Sequence, residues 1–460
     1  MCSSDLSGLS DGAKIGIGVG VGGAALLTAA IVGVGCGLKN KGKKNNSYNA
    51  APPTDSTPLR TVITRENFNA TDRGLLSGIV VTGTLAENQY NLVFKVTKEK
   101  LDEIVKATGL KMEFKPDVKQ PNSEEEPVMD LIIGGGSFGQ VRIARDISTQ
   151  NYVAVKIVPG NDKVKSSLRE GTMQHRLAGQ LHVLPLLNYL HYTPATDKAA
   201  SSELLKLAFG NAKGKNEDLL LQFTPLASFG DGEILRDRLS LLKDAELKEK
   251  IVTYVAYCFI DGLMNMHNNG VSHLDFKLSN LLLSWSGEVW DADLGCAVQK
   301  TFLSGGLGDF RYFSPKRLEH LRYLSAKKKN PSAFKGDLKA TFSGHKADDF
   351  AAGLTILEMF LGKHPFQKLF DQRKKGTGIP TSMIETWSEE MYTKGLDEAF
   401  IELDGVVNDK LLKVIRDLTA LSPTEKQTTT LAQKALEKLL PTESGEELFR
   451  QFDQALLDAY

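Results

Sequence analysis

The sequence of 460 residues predicts an α+β protein in which a strand-rich lobe precedes a helical lobe. Between residues 59 and 158, short β-branched and apolar runs such as GIVVTGT, NLVFKV and YVAVKIV favour strands. After residue 344, runs with helical periodicity, such as HKADDFAAGLTILEMFLG and LLKVIRDLTAL, favour helices. An uncharged segment near the N-terminus predicts a transmembrane helix ahead of both lobes.

This uncharged segment covers residues 15–38 and follows a short tail, residues 1–14. As a helix it would reach about 36 Å, enough for a bilayer core of about 30 Å. Four lysines follow it between residues 39 and 44, whereas Lys14 alone precedes it, so the charge bias places the C-terminal side in the cytosol. Glycines four apart, such as Gly16 and Gly20, suit self-association of two such helices, although they also suit a merely flexible segment.

Two regions lie between the membrane segment and the main domain. Residues 39–58 are basic and proline-rich, a composition typical of a linker. Residues 59–126 mix strand-like runs with one predicted helix, KEKLDEIVKAT, which Gly109 would end as a C-cap. This region is either a small α/β module or an N-terminal extension packed on the main domain.

The composition excludes several classes of partner and site. Basic and acidic residues are equal in number, 56 of each, so no global charge favours nucleic acid as a partner. The four cysteines lie far apart without a CxxC pair. We therefore expect free thiols in a reducing compartment rather than a disulfide framework or a zinc site.

A glycine-rich loop follows the strand-like run MDLII. The sequence IGGGSFGQV, residues 133–141, places Gly134, Gly136 and Gly139 in the pattern GxGxxGxV. Glycines allow a tight turn and bring backbone N–H groups close to phosphate oxygens. In a dinucleotide fold a helix would start directly after the last glycine, but QVRIAR alternates like a strand. We therefore predict a β-hairpin that covers phosphates.

A lysine in the next strand needs an acidic partner. Lys156 lies within YVAVKIV on the same face as Ala154, and a lysine buried in an apolar strand is costly unless it is paired. Between Lys156 and Glu203, Glu170 is the only glutamate. It shares one helical face with Met173, Leu177 and Leu181, so we predict that it faces inward and pairs with Lys156.

Two further motifs carry the groups that a phosphoryl-transfer site needs. The sequence HLDFKLSN contains Asp275, Lys277 and Asn280, and the sequence DLG begins at Asp293. A base, a lysine, an amide and a second acid in this order suit transfer of a phosphoryl group with the help of Mg²⁺.

Together these four elements resemble the eukaryotic-like (Hanks-type) protein serine/threonine kinase family. The resemblance covers residues 127–440 and implies the bilobal protein-kinase fold, with a β-rich N-lobe and an α-helical C-lobe. Residues 441–460 add one amphipathic helix, which either packs on the C-lobe or binds a partner.

The resemblance implies roles for the catalytic residues. Asp275 would accept or orient the proton of the substrate hydroxyl, and Lys277 would offset charge on the transferring phosphoryl group. Asn280 and Asp293 would hold Mg²⁺, with Mn²⁺ as the alternative. Lys156, fixed by Glu170, would bind the α- and β-phosphates of ATP.

The resemblance also implies a nucleotide pocket. The glycine loop would cover the phosphates, apolar side chains would enclose the adenine, and the connector LLLQFTP would bind its edge. The implied residues are Gly134, Gly136, Phe138 and Gly139 in the loop, Val141 and Ala154 above the adenine, Leu282 below it, Gln222 and Thr224 at its edge, and Leu221 at the back of the pocket.

Four residues depart from the family pattern. Leu274 replaces the usual arginine before Asp275, so the site is of the non-RD type and we expect activity without phosphorylation of the activation segment. Asp309 replaces a threonine, where a carboxylate would either pair with Lys277 or repel Asp275. Gln174 replaces an apolar residue, which would loosen the helix that carries Glu170.

The fourth departure, Lys316, replaces a glutamate whose usual arginine partner is here Lys426. Two lysines cannot pair, although the neighbouring Glu425 would restore an ion pair of reversed polarity. Asp348 matches the family's buried acid that accepts hydrogen bonds from the catalytic-loop backbone.

The favoured hypothesis is a membrane-anchored serine/threonine kinase that uses ATP and a protein substrate and does not bind nucleic acid. Lys277 favours serine and threonine over tyrosine as acceptors. The alternatives are a nucleotide-binding pseudokinase scaffold and a small-molecule kinase of related fold. The predicted location is a single-pass membrane protein with a cytosolic kinase domain, or alternatively a secreted effector at a host membrane.

Overall fold

The computed structural model describes residues 61–62, 68–69, 84–85, 90–117, 126–135, 139–192, 218–299, 302–303, 308–329, 342–372, 388–421 and 428–458. All of them belong to one compact unit, Tyr48–Tyr460. Within these ranges, no helix combines the length and the apolar character that crossing a membrane requires. The predicted segment 15–38 lies outside the described residues, so it stays a prediction.

The secondary structure follows the predicted order of strands and then helices. The strands are β1 (Thr61–Val62), β2 (Phe68–Asn69), β3 (Thr84–Leu85), β4 (Tyr90–Val93), β5 (Lys95–Val96), β6 (Met129–Asp130), β7 (Gly134–Gly135), β8 (Gln140–Asp146), β9 (Tyr152–Pro159), β10 (Asn188–Tyr192), β11 (Leu219–Pro225), β12 (Gly230–Asp231), β13 (Leu281–Leu283), β14 (Val289–Asp291), β15 (Phe302–Leu303) and β16 (Phe342–Ser343). The helices are α1 (Lys98–Thr108), α2 (Asn161–Arg176), α3 (Gly232–Leu239), α4 (Ala245–Asn268), α5 (Pro315–Lys329), α6 (Gly344–Leu361), α7 (Gln367–Gln372), α8 (Glu389–Leu403), α9 (Asp409–Leu418), α10 (Thr428–Glu437) and α11 (Gly445–Leu457).

One sheet forms the first lobe. In the described part of the chain its strand order is β1-β10-β11-β9-β8-β4-β3-β2, and β7 pairs with the start of β8. The hairpin predicted around the glycine loop is therefore confirmed, because β7, β8 and β9 pair antiparallel. Strand β4 pairs antiparallel with β8, with Leu92 opposite Ala144. Residues 90–93 thus extend the sheet of the main domain, which favours the packed extension over a separate module.

Helix α1 closes one end of this sheet. It begins after Thr97, whose side chain accepts the N–H of Lys100, and it ends at Gly109 with φ 75°. The predicted helix and its glycine C-cap are confirmed. Leu101 and Ile104 are buried and belong to one apolar cluster with Val93, Val96 and Ile143, so the extension shares a core with β8.

The two faces of the sheet have different neighbours. Side chains alternate along β9 and β11, so that successive residues point to opposite faces. One face forms an apolar cluster that contains Val155, Ile157 and Leu221. The other face carries Val158 and Leu220, which pack with Val164 of α2. Helix α2 therefore lies on the face of the sheet that also carries Lys156.

The second lobe is helical and has one large apolar core. Helices α4 and α6 supply most of their length to it, and α9, α10 and α11 pack around them. In α11, Leu448, Phe449 and Phe452 are fully buried in this core, and Phe449 lies edge-to-face against Phe229. The last helix thus packs on the lobe. The short strands β12, β13 and β14 form a separate sheet, which holds the catalytic segments at its ends.

Candidate active site

Lys156 and Glu170 form an ion pair in the first lobe. Lys156 Nζ lies 2.9 Å from Glu170 Oε2, and the Glu170 side chain is only 9% exposed. Burial lowers the pKa of Lys156, but the carboxylates of Glu170 and Asp293 outweigh it, so the pKa is raised. Burial likewise raises the pKa of Glu170, an effect that Lys156 opposes. The predicted ion pair is thus present, and the ammonium group of Lys156 also interacts electrostatically with Asp293.

Helix α2 carries Glu170 inward although it ends earlier than predicted. The helix stops at Arg176, and Leu181 is 70% exposed, so the prediction that Leu181 shares the buried face is wrong. Gln174 is buried, and its Nε2 donates to the carbonyl of Leu184 at 3.4 Å. This contact keeps the polar side chain within the packed helix, where Glu170 still reaches Lys156.

The glycine loop has no room for a side chain at Gly139. Gly134 pairs with Val141 in the β7–β8 hairpin. A Cβ atom on Gly139 would lie 2.0 Å from the carbonyl oxygen of Ile157, so only glycine fits there without a shift of the backbone. Gly136 and Phe138 lie outside the described residues, and their predicted roles stay predictions.

The two residues that were predicted to lie above the adenine, Val141 and Ala154, are on the same face of the sheet as Lys156. Val141 lies opposite Lys156, and Ile143 lies opposite Ala154, so these four side chains share the cleft face of the sheet. Leu282 lies on β13, half-buried, between Asp231 and Trp290 of the neighbouring strands.

Strand β11 coincides with the predicted connector LLLQFTP, but the residue at the back of the cleft lies one position later than predicted. Gln222 lies opposite Lys156, and Thr224 lies opposite Ala154, so their side chains face the cleft. Leu221 lies opposite Ile157 and is fully buried in the apolar cluster of the other face. The prediction that Leu221 guards the back pocket is therefore wrong. Gln222 occupies that position, and its Nε2 donates to the carbonyl of Ser167 on α2 at 3.2 Å.

The catalytic loop is anchored from below by Asp348. This buried carboxylate accepts the N–H of His273 at 2.8 Å and the N–H of Leu274 at 2.7 Å, and His267 Nε2 lies 3.0 Å from it. Although burial raises the pKa of Asp348, its hydrogen bond with His267 and the other donors hold the pKa below the usual value. The predicted role of Asp348 is confirmed.

Asp275 is held by three neighbours. Its Oδ1 accepts the backbone N–H of Asp309 at 2.7 Å, and its Oδ2 lies 3.1 Å from Lys277 Nζ. Asn280 Nδ2 donates to the Asp275 carbonyl oxygen at 2.7 Å. Burial lowers the pKa of Lys277, but Asp275 and Asp309 outweigh it and raise the pKa overall. The site therefore places a fixed carboxylate next to a charged ammonium group.

The donor set fits a hard divalent cation. Because Asn280 uses its Nδ2 toward Asp275, its amide oxygen is left to serve as an acceptor. Asp293 adopts a left-handed conformation, φ 57°, and accepts the N–H of Gly295 at 3.4 Å. Among the described residues, no group of three or more His, Cys, Asp or Glu side chains forms a metal cluster. An amide and a carboxylate suit Mg²⁺ that takes its other ligands from phosphate and water.

Asp309 neither pairs mainly with Lys277 nor points at Asp275. Its carboxylate forms a bidentate pair with Arg311, with Oδ2 2.6 Å from Nη2 and Oδ1 3.1 Å from Nε. Burial raises the pKa of Asp309, but the bond to Arg311 outweighs it, and the pKa is lowered. Arg311, which was not among the predicted site residues, thus offsets the charge of Asp309 and reduces the predicted repulsion between Asp309 and Asp275. An arginine two positions after the unusual acid was the available signal.

Lys316 is exposed and pairs with Glu319 at 2.9 Å. The predicted alternative partner, Glu425, and the position Lys426 lie outside the described residues.

Asp291, also missed, lies on β14 two residues before Asp293. Its side chain is fully buried, and neither carboxylate oxygen has a hydrogen-bond partner among the described residues. Burial raises its pKa well above the usual value, and the nearby carboxylates of Asp348 and Asp261 raise it further. Asp291 therefore keeps its proton over a wider pH range than an ordinary aspartate.

The sequence is similar to known protein kinases. Residues 128–438 match the family described as protein kinase domain. Serine/threonine-protein kinase 4 homolog B of Dictyostelium discoideum is 26% identical over 282 residues, which cover 59% of this chain and 21% of that protein. Mitogen-activated protein kinase kinase 2 of Arabidopsis thaliana is 24% identical over 278 residues, covering 58% of this chain and 60% of that protein.

CBL-interacting protein kinase 17 of Oryza sativa subsp. japonica is 25% identical over 267 residues, covering 55% of this chain and 48% of that protein. The matches thus span between 21% and 60% of the lengths of these three relatives.

Proposed function

Because the chain belongs to the protein kinase family, we propose that it transfers the γ-phosphoryl group of ATP to serine or threonine hydroxyls of a protein. The observation that carries this proposal is that the same structure contains both the ion pair of the first lobe and the ordered catalytic aspartate of the second. Lys156 is paired with Glu170 at 2.9 Å, and Asp275 is held by Lys277 and Asp309. The name of the Dictyostelium discoideum relative, a serine/threonine-protein kinase, supports serine and threonine as acceptors.

In the first lobe, Lys156 binds phosphate oxygens of the nucleotide. Its ammonium group is oriented by Glu170 and is electrostatically coupled to Asp293. The backbone around Gly134 and Gly139 covers the phosphates, and Val141, Ala154 and Leu282 enclose the adenine. These side chains are placed by strand pairing, so they need little rearrangement to bind.

In the second lobe, Asp275 orients the acceptor hydroxyl and takes its proton. The hydroxyl oxygen forms the new bond to the γ-phosphorus as the bond to the bridging oxygen breaks, which leaves ADP. Lys277 offsets the negative charge that the phosphoryl oxygens carry. Asn280 and Asp293 would hold Mg²⁺, or Mn²⁺ in its place. When bound, the cation neutralises charge on the phosphates.

We also propose that the enzyme is of the non-RD type and needs no phosphate on its activation segment. Leu274 provides no cation for such a phosphate. Its side chain instead packs in an apolar cluster with Phe342 and Ala347. The ion pair between Asp309 and Arg311 also fixes this end of the activation segment without a phosphate.

The membrane anchor is proposed from the sequence. Residues 15–38 are uncharged and long enough to span a bilayer, and the lysines that follow favour a cytosolic catalytic domain. Self-association through the glycines of this segment, and secretion as an effector to a host membrane, are tested by locating the full chain and by crosslinking it in membranes.

The catalytic proposal is tested with the full chain, γ-labelled ATP, Mg²⁺ and dephosphorylated casein as the probe substrate. We expect transfer by the wild type, and a loss of at least about 100-fold in Lys156→Ala. Lys165→Ala, which changes an exposed lysine on the adjoining helix α2, is the control and should keep wild-type activity. If the wild type binds Mg·ADP but transfers nothing, even to itself, the chain is a nucleotide-binding pseudokinase. Transfer only to hydroxyl-bearing small molecules would instead indicate a small-molecule kinase.

A further inference from the structure

Leu274, the residue before Asp275, is held in an unusual backbone conformation. Its φ is 66°, a left-handed value that residues with a side chain rarely adopt. Its backbone N–H donates to Asp348 Oδ1 at 2.7 Å, and its carbonyl oxygen accepts from Arg317 Nη1 at 2.9 Å. Buried charged side chains thus hold both backbone groups of this residue.

Arg317 comes from a different element and is almost completely buried. It lies in the first turn of α5 and is 3% exposed. Its guanidinium stacks on Phe313, with the carbon 3.7 Å from the ring centroid, and lies 5.5 Å from the ring centroid of Phe342. Burial lowers the pKa of Arg317 to about 10, against the opposing effect of Asp348 and Asp275, so it remains charged at neutral pH. A buried cation of this kind requires compensating acceptors, which the catalytic loop supplies.

We propose that Arg317 is a positioning residue for Asp275, because from α5 it holds the Leu274 carbonyl and so fixes the peptide that precedes Asp275. This inference rests on the proposed kinase function and names how the site is kept assembled. Arg317 is a residue of the C-lobe itself, so its contact with the backbone of the catalytic loop does not depend on a modification. Phosphorylation of the activation segment is therefore not needed to organise the loop.

The effect reaches Asp275 through one peptide unit. Gly308, φ 94°, packs against the Leu274 carbonyl, and a Cβ there would lie 2.2 Å from that oxygen. The next residue, Asp309, donates its N–H to Asp275 Oδ1 at 2.7 Å. If the Leu274 carbonyl loses its arginine, the peptide that joins it to Asp275 can rotate. The carboxylate then moves away from both the Asp309 N–H and Lys277.

The test compares Arg317→Met and Arg317→Lys with the wild type, using the full chain. The control is Lys316→Met, which removes a cation one residue away that is exposed and bound to Glu319. The readouts are kcat, KM for ATP, and the stoichiometry and Kd of Mg·ADP binding. Arg317→Met should lower kcat by about 10- to 100-fold, because a shift of about 1 Å at the reacting groups has this effect. KM for ATP, Mg·ADP stoichiometry and Kd should stay within about twofold.

Arg317→Lys should lie between the wild type and Arg317→Met, since lysine keeps the charge but is shorter and does not stack as well. Lys316→Met should match the wild type, and phosphatase treatment should not lower the wild-type kcat. A kcat of Arg317→Met within twofold of wild type overturns the inference, as does a large loss after phosphatase treatment.

If Arg317→Met does not fold, as a loss of Mg·ADP binding would indicate, the kcat of Arg317→Lys tests the inference instead. A three- to tenfold lower kcat at full Mg·ADP stoichiometry supports the inference, and a wild-type kcat overturns it. The two proposals fail differently. A wild type without transfer activity refutes the kinase function, whereas an active wild type with active Arg317 variants refutes only this role of Arg317.

Discussion

Asp291→Asn should change how the stability of the protein depends on pH. The folded protein keeps the Asp291 carboxyl group fully buried, without a hydrogen-bond partner among the described residues, and its pKa is raised well above the usual 3.8. An acid whose pKa is raised on folding stabilises the folded state fully below the unfolded pKa. That contribution is lost as the pH rises toward the folded pKa.

The magnitude follows from proton linkage. Each pH unit between the unfolded and the folded pKa removes up to about 1.4 kcal/mol from the free energy of unfolding. Asparagine has nearly the same shape and does not titrate. The stability of Asp291→Asn relative to wild type should therefore increase with pH, by up to about 1.4 kcal/mol per pH unit, above the unfolded pKa and up to the folded pKa.

The assay is urea unfolding of both proteins at several pH values, with the difference in free energy of unfolding taken at each pH. Taking this difference cancels the titration of all groups that the two proteins share. Asp397→Asn, at an exposed position on α8, controls for the loss of a carboxylate and should give a constant difference. A constant difference for Asp291→Asn as well, or one that favours the wild type as the pH rises, would show that Asp291 is ionised and paired in the folded protein.

Three further outcomes follow from the structure. Gly139→Ala should raise KM for ATP by at least about tenfold in steady-state kinetics. The reason is that the new Cβ would lie 2.0 Å from the Ile157 carbonyl oxygen and displace the loop. An unchanged KM would contradict this geometry. Leu221→Ala should lower the free energy of unfolding by about 2–5 kcal/mol in urea, because Leu221 is in the core. KM for ATP should stay within twofold, because Leu221 does not line the pocket. A raised KM without a loss of stability would show that Leu221 does line the pocket. His364 is fully buried and near Arg311, and its pKa is lowered to about 3, so its stabilising contribution is present above its usual 6.5 and is lost as the pH falls toward 3. His364→Asn, which can still accept the N–H of Phe366, should remove up to about 1.4 kcal/mol per pH unit of that loss, and parallel curves for variant and wild type would refute the assignment.

Much of the site was predictable because its residues lie in local patterns. Strand alternation placed Lys156 and Ala154 on one face, and helical periodicity pointed Glu170 inward. Both are local rules that hold wherever the element forms. The same rules were insufficient for Leu221 and Gln222, because the run LLLQF looks alike when it is shifted by one residue. Only the pairing of β11 with β9 fixes which of the two faces the cleft.

The remaining features depend on contacts between distant segments. Arg317 meets Leu274 from 43 residues away, and nothing in the sequence around either residue indicates that contact. Asp291 lies in an apolar strand where a carboxylate is unexpected, but its burial depends on the helix packed against it. Leu181 was misplaced because α2 ends at Arg176, and helix ends are set by local turns more than by apolar periodicity.

Phosphoryl transfer by this protein is tested most sharply by the transfer rate of Asp275→Asn at saturating Mg·ATP, measured beside its affinity for Mg·ADP. The proposed role of Asp275 predicts a kcat at least about 100-fold below that of the wild type, with an unchanged Kd, because the carboxylate acts on the acceptor hydroxyl and not on nucleotide binding. Equal transfer by the two proteins would contradict it.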